Sequence, residues 1–469
     1  MSGKKIMDVD KLQINEMPRS RSWLRSKVGK GLSKLVSLTL VGLAFLPTQL
    51  ARANPGAIYA ATNNGVFKSA DEGASWTAAN AGLAGIDVFS VAIDPLNPAT
   101  LYAGALGSGV FKSTDGGQNW FSASSGLDDT IILSLAIDPA SPQTIYCGTA
   151  TSAFFPGSGV FKSTDGAQSW TVSNAGLPAA IIDVVAIDPS NPATLYAGTN
   201  FDGVYKSTDG SQNWVAANSG MAPALVEELV VDPADSAALY AGIGGCSFNC
   251  LFPAGVLKST DGATSWTAVN TGLTDLQVVS LAVDPSNSNV LYAGTSLDGV
   301  FKSVDAGANW SLVDSGLQST LFAIVHLPLV IDPLNPGRIY AGTVNGVFKS
   351  TDGGINWSSA NNGFPPSTSI FALAIEPAAV PSIASVIAQV ESLELNSGQK
   401  NSLVTKLRSA EESLARGSGF AAGNQLHAFI NQIRALERSG RLDRATASSL
   451  INETQAIISA ISQRASGRH

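Results

Sequence analysis

Two pairs of adjacent acids, Asp128–Asp129 and Glu227–Glu228, stand outside every repeated motif of this chain. Two carboxyl groups are the minimum equipment for hydrolysing a glycosidic bond, and their separation decides the stereochemical course. Neighbours on one strand or turn send their side chains apart, so each pair is expected to be a solvated rim feature, like the single acids Asp87, Asp183 and Asp275. Paired aromatics are the second candidate. Phe154 and Phe155 lie in the insertion ATSAFFPGSG, and Phe248 and Phe252 in GGCSFNCLFPAG. Exposed aromatics on polar loops can stack on sugar or grip a protein, or they fold back over their own domain. Cys246 and Cys250, four residues apart in the second insertion, are expected to close a small disulfide. With no CxxC pair and no histidine cluster, neither a metal site nor a cofactor is expected. His326, the one histidine between residues 55 and 380, sits in the apolar run LFAIVHLPLV and reads as packed.

These residues hang on a repeat. Trp76, Trp120, Trp170, Trp214, Trp266, Trp310 and Trp357 are separated by 44, 50, 44, 52, 44 and 47 residues, a period that marks a repeat architecture. Each unit carries an SLAIDP-like run, a TLYAGT-like run, a GVFKSTDGG-like run and a tryptophan followed by a polar stretch ending in Gly-Leu. All are short, rich in β-branched and aromatic residues, and bounded by Gly, Pro, Asn or Asp, which is the strand signal. Four strands per unit predict an all-β propeller of four-stranded antiparallel blades. The first unit lacks its SLAIDP strand, and a seventh copy, IFALAIEP, appears at Ile370–Pro377. A seven-bladed propeller over residues 54–380 follows, its ring closed by that last strand. Cys147, replacing an alanine of one LYAG run, is expected to be buried.

The segment STDGGQNW resembles the Asp-box, or BNR repeat, S-x-D-x-G-x-x-W, of sialidases, sortilin-type receptors, xyloglucan hydrolases and a photosystem assembly factor. Its seven copies are Ser69–Asp71–Trp76, Ser113–Asp115–Trp120, Ser163–Asp165–Trp170, Ser207–Asp209–Trp214, Ser259–Asp261–Trp266, Ser303–Asp305–Trp310 and Ser350–Asp352–Trp357. The glycine two places after Asp is Ala167, Ser211 and Ala263 in three of them. Turn chemistry explains the box: Ser and Asp side chains hold backbone N–H groups and Trp fills space between blades. The resemblance implies that the boxes lie between third and fourth strands, on the face opposite the ligand site. The seven aspartates are therefore expected to be structural, and one Asp per hairpin is too few for calcium.

The same resemblance directs attention to sialidase chemistry, which needs three arginines and a tyrosine nucleophile. Between residues 55 and 380 the sole arginine is Arg338, and the tyrosines occupy repeat positions, as do the seven lysines from Lys68 to Lys349. Sialidase activity is disfavoured. So is the partner of the assembly factor, whose arginine-rich patch is missing. Xyloglucan hydrolases carry two propellers around a cleft, whereas one is expected here.

The flanks differ from the propeller. Residues 1–53 read as a signal peptide: a basic stretch to Lys34, the apolar run LVSLTLVGLAFLP, and Ala51-Arg52-Ala53 as the cleavage site. Met17 is an alternative start. That run is too short for a lasting membrane span. The chain is therefore expected to be exported, to a periplasmic, extracellular or cell-surface location. Beyond Pro381 helical periodicity takes over, with Leu403, Leu407, Ala410 and Leu414 on one stripe, Leu426, Phe429, Ile433 and Leu436 on the next, then Leu450, Ile451, Ile457 and Ile461. Residues 381–469 thus form a small α-helical bundle, which resembles the FIMAH-type module of bacterial extracellular proteins. Charge follows the same division. Residues 55–380 hold 8 Lys+Arg against 26 Asp+Glu, a net −18 within a total of −8, which repels phosphate backbones and excludes nucleic acid as a partner. The expected function is that of a monomeric, non-catalytic propeller binding a protein or glycan through its top loops. An extracellular hydrolase of neutral glycans is the alternative.

Overall fold

The structure is a computed structural model that describes residues 56–127, 131–150, 159–222, 224–244, 255–317, 327–377, 383–416 and 418–466. The predicted leader lies outside them. Seven four-stranded antiparallel sheets form the propeller. Blade two shows the plan: Val88–Ile93 is innermost, followed outward by Leu101–Ala105, Gly109–Ser113 and the two-residue edge Phe121–Ser122. Innermost strands of successive blades touch around the ring. The second strand is buried along its whole length in six blades, for example Leu195–Thr199, and from Ala238 onward in blade five, because a blade packs against neighbours on both faces. That is why LYAGT reads as unbroken apolar and small residues.

Ring closure is as the missing first strand predicts. Ile370–Ile375 becomes the innermost strand of blade one, pairing antiparallel with Ile58–Thr62 from Ile58↔Ile375 to Ala61↔Ala372. Glu376 clasps the seam: its N–H donates to Ala57 O at 2.8 Å and its carboxylate accepts the Ala57 N–H at 3.0 Å. Arg338 completes the closure. It is buried, 2.8 Å from Asp332 of its own blade and 2.8 Å from Glu72 of blade one.

The tryptophans join blade to blade. Each indole N–H donates to the outer strand of the preceding blade, as Trp120 Nε1 to Ala79 O, Trp214 to Ser173 O and, across the seam, Trp76 to Ala360 O, all at 2.8 Å. Each tryptophan backbone N–H reaches the Gly-Leu stretch of that same blade, Trp120 N to Ala81 O at 2.8 Å being one of seven. The glycine of that stretch is obligatory. A Cβ on Gly126, at φ +87°, would collide with the carbonyl of Trp170. Lysine and tyrosine act in the other direction: Lys112 Nζ, 5.4 Å from the Tyr102 ring centroid, donates to Gly166 O of the next blade at 2.8 Å. The six other blades repeat the lysine contact.

Four helices follow: α1 (Ile383–Ser392), α2 (Ser397–Ala415), α3 (Gly419–Arg438) and α4 (Arg444–Ser466). Asn396 and Gln399 form a reciprocal capping box at the start of α2. The core holds Leu403, Leu407, Ala410, Leu426, Phe429, Ile433, Leu436, Leu450 and Ile457. Leu414 departs from the expected stripe. It lies 36% exposed as the last residue but one of α2, beside the buried Ser413. Cys147 is buried in the blade-three core as expected.

Two stability outcomes follow from the closure. Deleting Ile370–Pro377 should lower the melting temperature in a single cooperative step, and an unchanged calorimetric trace would refute the pairing. Arg338→Ala should cost about 3–5 kcal/mol in chemical denaturation, since it strands Asp332 beside an empty partner site; a loss under about 1 kcal/mol would show the pair to be incidental.

Candidate functional site

One face of the ring carries the S-x-D turns, and their chemistry is fully used. Ser113 Oγ donates to Asp115 Oδ1 at 2.8 Å and accepts the Gly117 N–H at 3.0 Å, while Asp115 accepts both the N–H and the side-chain amide of Asn119. All seven turns share the serine and aspartate contacts; in three, Ser75, Ser169 and Ser265 replace the asparagine. These donors, the side chain at this position first, hold Asp115, Asp165, Asp209, Asp261 and Asp305 down at about 2. The substitutions Ala167, Ser211 and Ala263 sit at φ 65°, 70° and 67°, so the turn keeps its left-handed geometry without glycine and carries the strain. Burial pushes Tyr102, Tyr146, Tyr196, Tyr240 and Tyr292 up to about 12, so none is poised as a nucleophile. Arg338 is spent on the seam.

The opposite face is assembled from the connections that enter each innermost strand and the loops between second and third strands. They are laced together: Leu106 N–H donates to Asp87 O at 2.9 Å, and Asp275 accepts from Gln277 N at 2.9 Å and from Leu297 N at 2.7 Å. Asp275 is thus a loop-holding residue.

At this end the innermost strands are irregular. A register shift falls at the same place in five of them, at Val88/Ser90, Ile132/Ser134, Ile182/Val184, Val226/Glu228 and Val278/Ser280, and the closing strand skips Phe371. The extra residue of a bulge is released from the ladder and re-aimed. Those residues are Phe371, Phe89, Leu133, Asp183, Glu227 and Val279 in ring order. Neighbours among them interact. Phe89 and Phe371 make an edge contact with centroids 4.8 Å apart, and Asp183 feels the charge of Glu227. The channel mouth is therefore apolar on one side and acidic on the other.

The acidic side differs from the expected solvated rim. Glu227 and Glu228 are only partly exposed, enclosed by protein, and burial pushes them up to about 7 and about 8. Asp183 is raised well above the usual carboxylate range, by burial first and then by Glu227. The bulge separates the two glutamates: Glu227 lies against Gly244, while Glu228 takes the register position opposite Gly242. Asn200 lies between the two acidic strands, its N–H donating to Ile181 O and its backbone bridging to Leu225. Asp183 Oδ2 and Asn200 Oδ1 are sealed from solvent without a donor. Such orphaned acceptors are rare in folded proteins.

Phe154, Phe155, Phe248, Phe252, Asp128, Asp129, His326 and the Cys246–Cys250 pair lie outside the described residues. Sequence reasoning overlooked Asn200, Phe89 and Phe371. Aligning the innermost strands on their terminal acid puts Phe89, Leu133, Asp183, Glu227, Val279 and Phe371 in one column, five residues before it. That column varies in polarity where the one before it, Val88, Ile132, Ile182, Val226, Val278 and Ile370, stays apolar. Among the described residues, no three His, Cys, Asp or Glu side chains assemble as metal ligands, and no helix is long and apolar enough to cross a membrane.

Residues 381–459 match the FIMAH domain. No curated protein matches the sequence. Among solved structures, the GH74 enzyme of Niastella koreensis is 22% identical with a TM-score of 0.54, covering 66% of this chain and 55% of its own. The GH74 xyloglucanase from Xanthomonas campestris is 19% identical with a TM-score of 0.53, covering 66% and 53%. These likenesses show the propeller fold, and the chain spans about half the length of those enzymes.

The buried acids set a pH dependence. Their folded pKa values lie above the unfolded ones, so between about pH 5 and about pH 8 the folded state binds more protons and stability falls as pH rises. The double variant Glu227→Gln, Glu228→Gln should flatten that part of the melting-temperature profile relative to the parent; parallel profiles would mean the glutamates are solvated.

Proposed function

We propose that the chain is an exported, non-catalytic propeller that binds a protein or glycan through its top face, with the helical module serving attachment or assembly. The observation that carries this is the inequality of the two faces. One face is seven near-copies of a turn whose polar groups are all consumed, and the turn's bonding supports its assignment as an Asp-box. On the other face the blades differ, and acceptors there stand without donors. Export rests on the leader sequence, and the proposed location is periplasmic, extracellular or at the cell surface.

Hydrolysis of a neutral glycan is the second reading, favoured by raised carboxyls beside one another. Against it, catalysis by a carboxyl pair needs their pKa values driven apart, one acid and one ionised. Here Asp183, Glu227 and Glu228 are all driven upward.

The test is retention of the full chain on protein and glycan arrays, combined with assay of a neutral-glycan panel. Replacing Phe154, Phe155, Phe248 and Phe252 by Ala should abolish retention, while Gln118→Ala on the turn face should not; the reverse pattern would move the site. Sugar release that vanishes in Glu227→Gln would establish the hydrolase instead.

A further inference from the structure

The wall that blades four and five present to the channel mouth holds two buried oxygens left without donors, Asp183 Oδ2 and Asn200 Oδ1. Aspartates of the S-x-D turns accept three or more donors each, and Asp188 and Asp232 at the far ends of the same strands accept turn N–H groups and serine hydroxyls. Asp183 Oδ2 receives no donor among the described residues, and Asn200 Oδ1, on a residue held between the same two strands, is a second unmatched oxygen. A buried acceptor left unpaired is destabilising, so a ligand supplying the donor recovers that loss.

We propose that this wall receives the guanidinium or ammonium group of a basic segment in a protein partner, met first by Glu227 and then by Asp183 and the side-chain carbonyl of Asn200 as these turn from their sealed positions toward it. This rests on the top-face reading and names the chemistry of its ligand. Three observations select the occupant. Among the described residues the acids do not assemble as a set of three metal ligands, and an organic cation needs no such set. The flanking innermost strands Ile131–Ile137 and Val278–Val283 contain no ionisable residue, so neither supplies a competing cation. A sugar hydroxyl brings lone pairs along with its proton and needs donors that this wall lacks, whereas a guanidinium brings five donors and no acceptor. The Phe89–Phe371 edge across the mouth gives the aliphatic stem an apolar surface. The field of a propeller carrying −18 draws such a segment in. Glu227, at about 7 when the mouth is empty, ionises against the arriving cation.

The experiment uses the full chain and a fluorescent Gly-Arg-Gly-Arg-Gly peptide, beside the same peptide with citrulline in place of arginine. Citrulline keeps shape and loses charge. Anisotropy titration should show saturable binding of the arginine peptide, weaker by about tenfold or more for the citrulline form and for Asp183→Asn or Glu227→Gln. The neutral isosteres mimic the protonated groups, and their melting curves verify folding; the citrulline arm requires no variant at all. Equal affinity for both peptides, undiminished affinity in both variants, absence of saturable binding, or saturation of the mouth by neutral oligosaccharides alone would each overturn the proposal. A chain that ignores the arginine peptide yet retains another ligand through its top loops would sink this inference and leave the top-face reading standing.

Discussion

Everything in this propeller depends on a bond between blades. An indole N–H donating to the outer strand of the preceding blade, with the tryptophan backbone hydrogen-bonded to that blade's Gly-Leu stretch, is made seven times. It fixes the angle between adjacent sheets, because an aromatic ring buried in a close-packed seam tolerates little rotation. The S-x-D turn exists to present that tryptophan. Its serine and aspartate pin the backbone so that the indole emerges at one height in every blade, and the lysine of the neighbouring blade then finds the turn carbonyl in reach. Closure is a consequence of the same geometry: seven equal steps return the chain to its start, and the strand withheld from blade one is supplied from Ile370–Ile375.

Repetition made most of this legible from sequence. The spacing of tryptophans and the absent first strand carried blade number and closure, because local turn chemistry and global symmetry point the same way. The helical stripes were legible for the same reason, apart from Leu414, whose position on the period did not reveal that the bundle core ends before it. Uncharged sequence features hid the rest. A bulge has no residue signature of its own here; it shifts register by one and breaks the alternation of side chains between the two faces of the sheet. Glu227 and Glu228 look alike as an exposed acidic pair until the bulge sends them to different surroundings.

The channel mouth illustrates how a symmetric scaffold acquires direction. Equivalent positions on six strands would make a uniform ring if they held one residue type. Substituting phenylalanine in blades one and two and acids in blades four and five splits that ring into unlike halves without altering the ladder that supports them. Function is thus confined to positions where a residue can change without disturbing the tryptophan contacts, and the bulge is such a position because it lies outside the hydrogen-bonded register.

The antiparallel pairing at the seam also has a mechanical meaning. Ile58 faces Ile375, so the polypeptide enters the ring and leaves it at the same end of the same strand pair. Tension applied between the chain preceding Gly56 and the helices following Pro377 would peel this ladder one rung at a time, where a load along opposed ends would engage all rungs in shear. The strand that completes the circle is therefore its tear line, and Glu376, bonded to Ala57 through both backbone and carboxylate, is the stitch at which tearing has to begin.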